Sequence, residues 1–161
     1  MKRDIEVVFY DLFDFVKNNL NTYINNINVE KGDTLLENID ASSFFEFPFE
    51  NQANIINRGT FVVFGLTGST PISTIGATSS DLEFTMAVYM TKNINLSNTD
   101  IVKRLFRYSR AIRETIQKAA QKVGLPNLLV QEIPPFAEFD YSEGNSLMRG
   151  SGVQITLTYV D

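Results

Sequence analysis

Along residues 98–124 (NTDIVKRLFRYSRAIRETIQKAAQKVG) apolar side chains return every three or four positions, at Ile101, Leu105, Tyr108, Ile112, Ile116, Ala119 and Val123. That period lays them on one stripe of an α-helix. Residues 4–27 carry the same period through Ile5, Val8, Phe9, Leu12, Val16, Leu20, Tyr23, Ile24 and Ile27, which predicts a second long amphipathic helix. Asp4, Glu6, Asp11 and Asp14 crowd its first half, where the helix dipole favours negative charge. An Asn-rich stretch with a glycine, residues 25–32, loosens its end. Ser97 followed by Asp100 reads as a capping box for the other helix, with Asp in place of Glu.

Elsewhere the period drops to two. Residues 81–91 alternate most cleanly: Leu82, Phe84, Met86, Val88 and Met90 face one way, and Glu83, Thr85, Ala87, Tyr89 and Thr91 the other. Residues 152–160 repeat this with Val153, Ile155, Leu157 and Tyr159. The nearly continuous apolar run 59–66 suits an interior strand, and 128–133 is a shorter strand ended by Pro134 and Pro135. In 44–49, Phe45, Phe47 and Phe49 alternate with Glu46, Pro48 and Glu50, but Pro48 has no amide donor, so this is an edge strand or an extended arm. Strands with one apolar and one polar face fit an antiparallel sheet covered on one side. The expected fold is therefore α+β: an antiparallel sheet covered on one face by two long amphipathic helices, in a single domain spanning residues 1–161.

Two connections exceed what a turn needs. Residues 67–80 (TGSTPISTIGATSS) join two strands of an expected hairpin, where about 2–5 residues suffice. Residues 134–151 separate two further strands. Both read as extended loops, yet the first holds Ile72 and Ile75 and the second holds Phe136, Phe139, Tyr141, Leu147 and Met148. Apolar residues in long loops are either folded onto the body or reserved for a partner. Ile72, Ile75, Phe136, Phe139 and Tyr141 are accordingly candidate docking residues.

Charge is segregated. Seven of the fourteen basic residues lie in 98–124 beside only Asp100 and Glu114, whereas the chain as a whole has nineteen acids and a net charge of −5. On the helical wheel the bases oppose or flank the apolar stripe. A solvated face would explain that. The choice of arginine at four positions points to carboxylate contacts instead, because the planar fork binds them bidentately. Arg104, Arg107, Arg110 and Arg113 are candidate contacts to acids of a second copy of the chain. Nucleic acid is the competing ligand, but the acidic net charge opposes it, since phosphate affinity grows with basic charge presented.

The missing residue types narrow the chemistry. The chain has no Cys and no His, which removes disulfides, thiol nucleophiles, Cys-ligated zinc, the usual general base and the Ser-His-Asp triad. Gly65 to Thr70 lacks the Lys and spacing of a phosphate loop, and Glu138, Asp140 and Glu143 lack the spacing of a calcium loop. No catalytic, cofactor or metal site is expected, and no enzyme activity. No run reaches the roughly 18–20 apolar residues of a membrane span. Acids interrupt the apolar residues of MKRDIEVVFYDLFDF, so it does not read as a signal peptide, and the expected compartment is the cytoplasm.

In order and spacing nearly the whole chain resembles the tail terminator proteins of tailed bacteriophages, a group that includes tail-completion and neck-ring subunits. The resemblance is carried by KRLFRYSRAIRETI (residues 103–116) after the alternating strand 81–92, and by the late strand 152–160. It implies a structural virion protein of the tail or neck, assembled in the host cytoplasm. Members form hexameric rings that cap the tail tube, halt its growth and dock the head. The implied partners are copies of the chain itself, the tail tube protein and a neck or head-completion protein. DNA would pass the lumen without specific binding, and no membrane is involved. Another neck, connector or tube-associated subunit is the alternative of the same class, and a regulatory module binding nucleic acid through its basic helix face is the more distant one. Residues 28–57 are long for a compact member, which suggests an added arm.

Overall fold

A computed structural model describes residues 4–46, 59–74, 77–90, 95–125, 127–140 and 146–160, with backbone alone along 69–74, 77–80, 138–140, 146–147 and 159–160. The first periodic segment forms α1 (Ile5–Lys31), capped by the Asp4 carboxylate on the Glu6 amide and closed by Gly32 in the left-handed conformation at φ 67°. It runs four residues past the expected end at Ile27. Its buried stripe holds Val8, Leu12, Val16, Leu20, Ile24 and Ile27 as expected, and Phe13 as well. Ile5, placed on that stripe by periodicity, is exposed. The second helix, α2 (Asn98–Val123), begins with the expected Ser97–Asp100 cap: Ser97 Oγ accepts from the Asp100 amide and donates to its carboxylate.

The strands are β1 (Phe44–Glu46), β2 (Thr60–Thr74), β3 (Ala77–Met90), β4 (Leu128–Asp140) and β5 (Ser146–Val160), in the order β1-β2-β3-β5-β4. All pairs are antiparallel except β1 with β2, which run parallel with Phe44 opposite Val62. Cross-strand register puts Phe64, Met86, Val153 and Glu132 in one row. At one end of that row α1 stacks Phe9 on Phe64, ring centroids 4.5 Å apart. At the other, Arg113 of α2 pairs with Glu132 at 2.8 Å. Both helices therefore cover the same face. The core between the layers holds Val62 and Phe64 of β2 with Leu82, Phe84, Met86, Val88, Met90, Val153, Ile155 and Leu157, the last eight from the apolar faces that alternation gave to β3 and β5. Burying each such side chain contributes about 1.5–3 kcal/mol, an upper figure because unfolded chains already hide some surface.

The two long connections are strand, not loop. Pairing between β2 and β3 continues to Thr74 opposite Ala77, so residues 67–80 are mostly the far half of a long hairpin. Leu66 pairs with Phe84 and Gly68 with Glu83, leaving Thr67 as the extra residue of a bulge, and a bulge of this kind bends and twists the hairpin. Likewise β4 does not stop at the two prolines. Ile133 pairs with Gly152 and Phe136 with Gly150, so Pro134 and Pro135 face a single residue across a bulge where no amide is needed. Of 134–151, only 141–145 lies outside the described residues.

The expected arm resolves into a strap. After α1 the chain turns back along its own helix, and Asn28 and Asn21 hold it in place. Asn28 donates to the Leu36 carbonyl and accepts from the Leu36 amide, and Asn21 does the same for Ile39. Each amide side chain thus imitates a strand partner, which lets Leu36 and Ile39 enter the core. Residues 47–58 lie outside the described residues.

Candidate subunit interface

The helices run antiparallel: Arg110 of α2 reaches Glu30 near the end of α1, while Lys122 near the end of α2 lies 5.4 Å from the centre of the Phe15 ring. Along that seam three of the candidate arginines form a ladder with acids of their own chain. Arg110 donates to both Glu30 oxygens at 2.9 and 2.6 Å and to Glu114 at 2.8 Å. Arg107 Nη1 reaches both Asp33 oxygens at 2.8 Å. Arg104 Nη2 lies 3.4 Å from Glu37. The fourth, Arg113, ties α2 to β4 through Glu132. The Arg110 hydrogen bonds, aided by Lys31, pull the Glu30 carboxyl from its ordinary 4.5 to about 2. The Arg107 hydrogen bond, with the Leu35 amide behind it, also lowers that of Asp33. Two carboxylates raise Arg110 in turn.

Arg104 departs furthest from its expected place. It is not on a presented basic face but buried, 4% exposed, between Ile101 and Tyr108 on the helix. Its long aliphatic stem packs like an apolar residue, and its Nε and Nη1 have no hydrogen-bond partner. Beside it Tyr108 donates to the Glu37 carbonyl and accepts from the Glu37 amide, and burial pushes its hydroxyl up to about 12. The acids at 30, 33 and 37, three and four residues apart against the three-residue steps of the bases at 104, 107 and 110, were the sequence signal of this ladder.

The docking candidates divide. Phe136 is half-buried on β4, with its ring over Gly150 and edge-on to Tyr89 at 5.7 Å. It ends an aromatic row on the sheet face away from the helices, continued by Tyr89 on Phe61 and Phe61 on Phe45. Ile72 and Phe139 lie on β2 and β4, placed by backbone alone, and Ile75 and Tyr141 lie outside the described residues.

Several exposed apolar residues that periodicity passed over are on the helices. Val7 is 50% and Tyr10 39% exposed on α1, and Val102 is 44% and Phe106 53% exposed on α2. Their signal was positional: each pair sits one turn apart and off the apolar stripe. An open groove of about 760 Å³ lies at the end of α2, lined among the described residues by Gln117, Ala120, Gln121, Gly124, Leu125 and Leu128, none of them ionisable. Neither described helix is long and apolar enough to cross a membrane. No protein-family model matches the chain, and no curated protein matches it.

Proposed function

We propose that this chain is a ring-forming structural subunit of a phage tail, a terminator that caps the tail tube and joins tail to head. It works in the virion, with copies of itself, the tube protein and a neck or head-completion protein as partners, while DNA passes the lumen without specific recognition. One observation carries the reading: two long hairpins leave one rigid layer from opposite ends. The β2–β3 hairpin runs on beyond the exposed Leu66 to Thr74 and Ala77, and the β4–β5 hairpin continues past the Met90–Arg149 pair to Asp140 and Ser146. From Gly68 to Thr74 the first spans about 20 Å at roughly 3.3 Å per residue, with β5 alongside β3 as far as the Ser79–Val160 pair. A subunit that touches a tube below and a neck above needs such reach at both ends, fixed by a packed body between. The six-fold number comes from the resemblance alone. Size-exclusion chromatography with mass measurement, followed by electron microscopy, tests the reading: closed six-membered rings are expected, alone or on tube ends. A chain that stays monomeric and leaves tubes uncapped would exclude it.

A further inference from the structure

Antiparallel packing puts the N-terminal parts of α1 and α2 at opposite ends of the helix layer, and each carries an exposed apolar pair. Four of the eight exposed large apolar residues among those described are Val7, Tyr10, Val102 and Phe106. Single exposed apolar residues are ordinary, but pairs one turn apart make continuous surface. The surroundings of the two pairs differ in sign. Glu6, Asp11 and Asp14 surround Val7 and Tyr10, all exposed and without ion pairs among the described residues. Glu46 adds a further carboxylate and holds the Tyr10 hydroxyl at 2.9 Å, which sets the ring. On α2, Asn98, Val102, Phe106 and Arg110 follow one ridge at four-residue steps. Arg149 meets Asn98 at 3.3 Å, and Lys103 stands exposed beside Phe106.

We infer that the Val7–Tyr10 surface of one copy docks on the Val102–Phe106 ridge of a second copy, with Asp11 and Asp14 facing Lys103 and Arg149. A helix of 26 residues is about 39 Å long, so one molecule cannot join its own two surfaces. The contact uses different patches on the two partners, and repeating it builds a ring where the rotation closes. It also replaces the four candidate arginines, which pair with carboxylates within the chain, by Lys103 and Arg149, which form no salt bridge among the described residues. The inference takes its setting from the ring reading above.

Two variants and their mixture test it. Asp11→Lys with Asp14→Lys disables the acidic edge, and Val102→Ser with Phe106→Ser disables the basic one. All four positions are exposed, and unfolding midpoints check that each variant folds. By sedimentation, wild type is expected to assemble and to weaken with salt. Each variant alone should remain monomeric at ten times the concentration at which wild type assembles. An equimolar mixture should form dimers and nothing larger, since each pair of molecules retains one intact contact. Wild type that stays monomeric, a variant that assembles like wild type, or a mixture that stays monomeric would overturn the inference. If wild type makes rings that neither variant disturbs, the contact fails and the ring reading stands. If the contact behaves as expected but virus carrying the variants joins heads to tails normally, the ring reading fails and the contact stands.

Discussion

A Cβ built on Gly152 would strike the Met86 carbonyl oxygen and lie 2.7 Å from the Ala87 Cα, both backbone atoms of the neighbouring strand. Gly152→Ala must therefore push β5 from β3, and overpacking of this kind costs about 1–3 kcal/mol or more. A Cβ at Gly68 has as its nearest neighbour the Glu83 carboxylate, at 2.8 Å, and that side chain can swing away. Urea midpoints should thus fall clearly for Gly152→Ala and hardly move for Gly68→Ala; equal effects would mean that the strands adjust. Arg104 poses the reverse case. Its guanidinium has two buried nitrogens without partners and one long contact to a Glu37 side chain that is 68% exposed. Arg104→Met keeps the packed stem and removes the unsatisfied donors, so stability should hold or rise, and a large loss of midpoint would show that the Glu37 contact matters more than its length suggests. At this scale periodicity read apolar stripes well. It placed Arg104 outside, because a pattern of polar and apolar letters counts arginine as polar whatever its stem touches.

Between residues and the whole, the elements show where composition misleads. Residues 67–80 are mostly Gly, Ser and Thr with a proline, the composition of a loop, yet each of Ser69 to Thr74 has a partner in β3. Pairing is a property of two segments and leaves no mark in either one alone. The same holds for β4, where Pro134 and Pro135 look like a stop and are absorbed in a bulge. The strap was legible only as excess length, since its anchors, Asn21 and Asn28, resemble any polar helix residues. They can be tested separately. Asn28→Ala leaves the amide and carbonyl of buried Leu36 unpaired, a loss of about 1–3 kcal/mol, and hydrogen exchange at the Leu36 amide should accelerate. Asn21→Ala should cost less, because its bonds to Ile39 are only partly buried. Unchanged exchange at Leu36 would mean that its side chain, not Asn28, holds the strap.

Across the whole molecule the Glu30–Arg110 and Asp33–Arg107 pairs join α1 and the strap to α2, and their pH dependence has a definite sign. Glu30 falls from 4.5 to about 2 in the folded chain, so its contribution is complete above the ordinary carboxylate range and is lost as pH drops from about 4.5 towards 2. Asp33 shifts in the same direction. The urea midpoint should be flat from neutrality to about pH 5 and then decline, with a shallower decline in Glu30→Gln; identical curves would take that pair out of the acid response. The α+β architecture followed from two helical and several two-residue periods, while the destination of the basic face did not, because charge patterns show that a partner exists and not which chain supplies it. The hairpins bear on function most directly. Deleting residues 72–79, three cross-strand pairs from Ile72↔Ser79 to Thr74↔Ala77 with the tip between them, and closing Pro71 to Ser80 with Asn-Gly keeps the bulge and the core rows intact. A two-residue Asn-Gly link matches the twist of the strands it joins. The shortened protein should keep its unfolding midpoint and its assembly state, since both depend on the helix-covered layer. If the proposed function holds, virus carrying it should accumulate filled heads and complete tails that fail to join. Normal infectious particles with tails of normal length would take the hairpin out of the joining step.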